Sequence, residues 1–279
     1  MINTSIIQIA VVIVSISITA MATEMKNVMG YKDQPTPPFI GTINDNSGLY
    51  NDLFKAAAKK VGASLEIVRF PKKRVHLHLK SGSLDFYPGA SFSQSRAEYL
   101  YYLPMGFGTK EVVITSKHHA DIADMSHVSG KLLVELGSSK LNYHKKYPNL
   151  DIVQMSNLPI KNVLSALAIG RGDFFISDVE PIIAYMKHHN INREADIGIK
   201  IHYNAINQSL IPMYLGFSRK SPLFQEVSNP KYDPDNQLSI SNFPTLIVKE
   251  SVAYQFYSAL QKMKERGELE ALYSDHFER

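Results

Sequence analysis

The chain has 279 residues, 44% of them apolar, and a formal net charge of +4, enough apolar material for one large domain or two small ones. Its Lys and Arg residues are dispersed, with no basic stripe interleaved with stacking aromatics, which argues against a nucleic-acid partner; the mild basicity is compatible with an anionic partner without identifying one. The absence of cysteine excludes disulfides, cysteine metal sites, a thiol nucleophile and a lipidated cysteine.

The first element is an apolar run from Ile6 to Ile18, followed by Ala20-Met21-Ala22. The run is shorter than the roughly 20 apolar residues of a membrane span, and small-x-small is a signal-peptidase pattern. Residues 1–22 are therefore expected to be a cleaved signal peptide, with the mature chain starting near Thr23 in a periplasm. No Lys or Arg precedes the run, and an uncleaved anchor is the competing reading.

After the Pro-rich loop Gln34–Pro38, the spacing of Leu49, Leu53, Phe54, Ala57 and Val61 predicts a helix that stops at Gly62. Leu65, Ile67 and Phe70 mark a strand, Lys72–Lys80 a helix ending at Gly82, and Leu84–Tyr87 another strand. The alternation restarts with a strand at Leu132–Leu136, a turn at Gly137-Ser138-Ser139 and a helix at Lys140–Tyr147. A strand at Ile152–Met155, a helix at Ile160–Ile169, a strand at Phe174–Ser177 and a helix at Pro181–His188 follow. Val252, Phe256, Ala259, Leu260 and Met263 outline a last amphipathic helix closed by Gly267. Such alternation predicts parallel sheets covered by helices. The expected arrangement is two α/β lobes, residues 23–110 with 211–279 and residues 111–210. Phe107–Ile114 and Gln208–Phe217 would be the crossover strands. Ser221–Ser251, with four prolines and little periodicity, is expected to be a surface excursion.

Several stretches carry a family likeness. Ser81-Gly-Ser-Leu-Asp85 and Gly89-Ala-Ser-Phe-Ser-Gln-Ser-Arg96 resemble the "sG.iD" and "s.t..R" patterns of the family 3 bacterial extracellular solute-binding proteins. Gly130-Lys131 leading into Gly137-Ser138-Ser139, Gly170–Asp178 and Leu260–Gly267 are further matches in the right order. The resemblance implies a two-lobe periplasmic-binding-protein-like (type II) α/β fold joined by two crossover strands. It also implies a monomer that binds a small zwitterion, an amino acid or a derivative or other small carboxylate, for an ABC permease or a membrane receptor. No cofactor, no metal and no catalytic residue is implied.

Within that resemblance, Arg96 matches the carboxylate-binding arginine, with Ser91 and Ser93 at the matching spacing; by itself Arg96 reads rather as a surface arginine at the start of a helix. A guanidinium suits a carboxylate because it binds through two parallel hydrogen bonds. Ser138 and Ser139 stand where a strand turns into a helix, which reads both as an N-cap and as an anion site. Asp178 follows a strand end, where ligands of open α/β sheets bind, and by resemblance pairs with the ligand ammonium; a helix-capping aspartate is the alternative. The family commonly has an aromatic before the Pro-Phe of its first loop. Pro37 stands there, which leaves Tyr31, Phe39 or Tyr87 to supply a ring. Pro88 and Gly89 replace family serines, so the side-chain pocket differs.

Other motifs carry less. His76 and His78 lie two apart on a predicted helix and face different ways, a poor metal pair. His118-His119 and His188-His189 read as solvated pairs, and Arg171-Gly172-Asp173 as a helix-to-strand turn. Two alternatives to transport remain: a periplasmic cyclohexadienyl dehydratase-like enzyme on the same scaffold, and a sensing module for a membrane receptor.

Overall fold

The computed structural model describes residues 25–206 and 209–277. The expected signal peptide, and Gln208 of the second crossover, lie outside the described residues. In chain order the strands are β1 (Met25–Lys32), β2 (Ala63–Phe70), β3 (Phe86–Ala90), β4 (Leu100–Thr109), β5 (Glu111–Ser116) and β6 (Gly130–Glu135). They continue as β7 (Leu150–Met155), β8 (Phe174–Asp178), β9 (Ile199–His202), β10 (Ile211–Ser218), β11 (Glu226–Ser228) and β12 (Thr245–Ile247). The helices are α1 (Leu49–Lys60), α2 (Lys72–Ser81), α3 (Gln94–Ala97), α4 (Ile160–Ala168), α5 (Val179–His188), α6 (Val252–Glu265) and α7 (Glu268–Phe277).

Two five-stranded mixed sheets result. The first has the order β2-β1-β3-β10-β4 and the second β7-β6-β8-β5-β9. In each, the strands joined through helices run parallel: β1 pairs with β2 and β3, and β6 with β7 and β8. The strands that change sheet run antiparallel to their neighbours, β10 beside β3 and β4, and β5 beside β8 and β9. Lys110 alone separates β4 in the first sheet from β5 in the second, and the chain returns between β9 and β10.

Each sheet buries both faces. Phe86, Leu215 and Phe217 of the first sheet pack with Phe54 of α1 and Phe256 of α6, and Phe86 lies 5.0 and 5.5 Å from those two rings. The opposite face carries Tyr87, Leu100 and Tyr102 under Val75 and Leu79 of α2. In the second sheet Val112, Ile114 and Leu133 meet α4 and α5, while Val113, Leu132, Val134, Phe174 and Ile176 face the other way. Side chains of neighbouring strand residues point to opposite faces, so a sheet covered on both sides needs nearly continuous apolar strands.

The repeated motif residues tie these parts together. Gly82 caps α2 with φ +84°, and a Cβ there would lie 2.6 Å from the Lys220 carbonyl oxygen. Only glycine fits such a left-handed cap under close backbone. The Asp85 carboxylate accepts from the Val28 N–H at 2.7 Å and from the Ser221 hydroxyl at 2.5 Å, joining β1 to the chain after β10. Asp173 plays the same part in the second sheet, accepting from the Lys131 N–H at 2.7 Å. The Arg171-Gly172-Asp173 tripeptide thus belongs to the turn into β8.

Four differences from the sequence expectations have physical causes. β1 was not expected, because its buried positions include Asn27 and Gly30 and show no clean alternation; pairing on both sides makes it a strand. The helix expected at Lys140–Tyr147 is a 3-10 segment, Ser139–Lys145, with no buried residue. Beyond Gly267, where the last helix was expected to end, α7 continues the chain and packs Leu269 into the first core. Within Ser221–Ser251, β11 and β12 form a hairpin, and Asn242 donates to the carbonyls of Asp233, Asn236 and Gln237, which orders the loop. Phe243 anchors it against Tyr101, with ring centroids 5.2 Å apart.

Candidate functional site

Four parallel strands, two from each sheet, end at one cleft. β1 ends on Lys32, β3 leads into Ser91, β6 leads into the turn Gly137–Lys140, and β8 ends on Asp178. The carboxyl ends of parallel strands are where such sheets bind ligands, because chain crossovers leave a crevice there. A cavity of about 110 Å³ lies at this point, lined among others by Phe39, Tyr87, Ser91, Arg96, Ser139 and Asp178.

Arg96 lies on the first-sheet side and Asp178 on the second. The Arg96 Nη2 donates to the Gly137 carbonyl at 2.6 Å, which spans the two sheets. Gly137, at φ +90°, presses so closely on α2 that a Cβ would lie 2.7 Å from the Lys73 nitrogen. Asp178 is the N-cap residue of α5 but its side chain makes no capping hydrogen bond. Burial pushes the Asp178 carboxyl above its usual range; Lys140 opposes this and Glu111 adds to it. A carboxylate with no capping bond on one wall and a guanidinium on the other make an arrangement that can hold a zwitterion, with each charge of the guest compensated.

The serines divide. Ser91 lines the cavity. Ser93 instead lines an adjoining pocket of about 360 Å³ with Ser95, Arg96 and Tyr99, and its hydroxyl meets that of Ser95 at 3.1 Å. The Ser138 hydroxyl accepts from the Lys140 N–H at 3.2 Å, an N-cap bond, and both Ser138 and Ser139 reach the cavity wall. Among the aromatics, Phe39 and Tyr87 line the cavity, and Phe39 stacks on Tyr50 at 5.2 Å. Tyr31 is not among the lining residues. It is fully buried in the first core with the Arg69 guanidinium 5.2 Å from its ring centre, because its position on the central strand β1 turns it inward. Gly89 is explained by Tyr50: a Cβ on Gly89, at φ +67°, would lie 2.1 Å from the Tyr50 hydroxyl. His76 and His78 part company, His76 buried beside Tyr99 and His78 stacked on Phe70 at 4.2 Å.

Charged residues that sequence reasoning passed over complete the site. Lys32, Lys72 and Lys140 line the cavity. Glu135, at the end of β6, receives Lys72 at 3.3 Å and Lys32 at 3.8 Å, a bridge between the two sheets. Glu111 receives Lys140 at 2.5 Å and the Tyr143 hydroxyl at 3.1 Å. Burial opposes ionisation of Glu135, but Lys72 and Lys32 outweigh it and hold its carboxyl below the usual range. Burial pushes Lys72 down to about 8, against the pull of Glu135. Their one sequence signal is position: each stands at a strand end or just after it. Beyond these lysines the cleft widens into a second, apolar compartment of about 420 Å³ between α4 and α5, walled by Leu133, Leu158, Phe175 and Tyr185 among others.

The chain belongs to the bacterial extracellular solute-binding proteins, family 3, whose model matches residues 28–279. No curated protein matches the sequence. Among solved structures it is similar to an ancestral arginine-binding protein bound to arginine, at TM-score 0.66 and 20% identity, covering 90% of this chain and 98% of that one. A histidine kinase sensor domain with similarity to periplasmic binding proteins matches at TM-score 0.66 and 16% identity, covering 91% and 96%. An ancestral amino-acid-binding protein, a precursor of cyclohexadienyl dehydratase, matches at 0.60 and 20%, covering 90% and 95%. These likenesses show the type II periplasmic-binding fold.

Proposed function

We propose that this protein captures a small zwitterionic ligand, an amino acid or a close derivative, in the periplasm and delivers it to an ABC importer. The observation that carries the reading is that Arg96 and Asp178, the latter without a capping hydrogen bond, line one cavity between the two sheets. Arg96 with Ser91 receives the carboxylate, and Asp178 receives the ammonium. A ligand touching both walls stabilises the closed form over an open one and so drives hinge closure at Lys110 and at the return between β9 and β10. Residues 1–22 act as the export signal, and the mature chain works as a monomer. The arginine bound by one structural neighbour and the family's role in solute binding support this class of ligand.

Two alternatives have some support. The sensor-domain neighbour fits presentation of the same ligand to a receptor. The dehydratase precursor, together with the raised carboxyl of Asp178 in the cleft, fits an enzyme whose acid or base would be Asp178. A thermal-shift and calorimetric screen of residues 23–279 against amino acids, derivatives and small carboxylates tests the set. A zwitterion that binds unchanged supports capture, and a ligand consumed on incubation supports catalysis. A plain carboxylate binding in place of every zwitterion removes the role given to Asp178.

A further inference from the structure

The charges around the cavity are unequal. Among the described residues its lining carries four cations, Lys32, Lys72, Arg96 and Lys140, and the one carboxylate Asp178. Two further carboxylates stand just behind: Glu135, shared by Lys32 and Lys72, and Glu111, taken by Lys140. Arg96 ends on a neutral carbonyl, that of Gly137. A zwitterion brings no net charge and leaves the cation excess as it was. Burial pushes Lys72 down to about 8 against the pull of Glu135, and Lys32, Arg96 and Lys140 add smaller contributions in the same downward direction.

We propose that the wall formed by Lys32, Lys72 and Lys140 receives a second anionic group, so that the ligand is a compact acidic amino acid with a side-chain carboxylate. The inference rests on the amino-acid-binding reading above and adds the substrate class to it. Arg96 and Asp178 hold the α-carboxylate and the ammonium. The side chain then points at lysines that come from three separate elements: the end of β1, the start of α2 and the turn after β6. The same wall repels a cationic side chain, since among the described residues lining the cavity no carboxylate is left to pair with one.

Calorimetry with L-glutamate, L-glutamine, L-arginine and L-phenylalanine at pH 7 tests this. Glutamate and glutamine have nearly the same shape and differ in charge. Glutamate is expected to bind at least about tenfold more tightly than glutamine, with arginine undetected. Lys72→Met and Lys32→Met, each checked for a native melting transition, are expected to bring the glutamate-to-glutamine ratio within about threefold of unity by weakening glutamate more than glutamine. Glutamine or arginine binding as tightly as glutamate overturns the inference while leaving the capture reading standing. Phenylalanine binding as tightly does the same and points to the apolar compartment. An unchanged ratio in both lysine variants overturns it too. Silence with every amino acid overturns the capture reading itself.

Discussion

Asp178→Asn separates binding from folding, because the two effects have opposite signs. In the ligand-free protein the carboxylate is half-buried, makes no capping bond and has its carboxyl pushed above the usual range by burial. Removing the charge relieves that cost. A relief of about 1 kcal/mol raises Tm by roughly 2–4 °C in a protein of this size. The sign follows from linkage. A carboxyl whose folded pKa is raised favours the fold while protonated, and that contribution is lost as pH rises through its folded pKa. The stabilisation by Asn is therefore present at neutral pH and disappears below about pH 4, where the unfolded-state carboxyl is also protonated. Binding moves the other way. A desolvated ammonium that loses its counter-charge costs about 3 kcal/mol, a factor of roughly 150 in Kd. Calorimetry with the tightest-binding amino acid of the screen, and scanning calorimetry without it, read the two effects. An unchanged Kd together with a lower Tm would refute the argument and leave Asp178 as a structural residue of α5.

Arg96→Ala is expected to weaken the same ligand by about two orders of magnitude with the fold retained, since it leaves a desolvated carboxylate without its donor; normal affinity by calorimetry would remove Arg96 from the site. Glu135, held below the usual range by Lys72 and Lys32 against burial, contributes stability above about pH 4.5 that is lost as pH falls through its folded pKa. Acid is thus expected to release the bridge between the sheets, read as a rise in radius of gyration by X-ray scattering, and Glu135→Gln should show the expanded form at pH 7. Phe256→Ala removes a fully buried ring packed on Phe54 and Phe86 and should cost about 3–5 kcal/mol in denaturant unfolding. A loss below about 1 kcal/mol would mean that the first core repacks freely.

Much of the fold can be read along the chain. The spacing of Leu49, Leu53, Phe54 and Ala57 is enough to place α1, since a helix buries one stripe and these residues form it. Gly82 and Gly267 mark helix ends because glycine adopts their left-handed backbone without the strain a Cβ brings. β1 was hidden, since Asn27 and Gly30 on a central strand break the pattern and only partners 30 or more residues away complete it.

The site divides along the same line. Arg96, Ser91 and Asp178, which line the cavity, could be singled out from short motifs along the chain. Lys32, Lys72 and Lys140 could not. They belong to three elements, and nothing near any one of them in sequence records that the other two converge on the same 110 Å³ cavity. Tyr31 shows the converse: its residue type fitted a ring over a ligand, yet the twofold alternation of β1 turned it into the core. Periodicity and turn chemistry act over a few residues and so are written into the sequence itself. The balance of charge in the cleft is a sum over side chains brought together by two sheets, and only the tertiary structure could decide it.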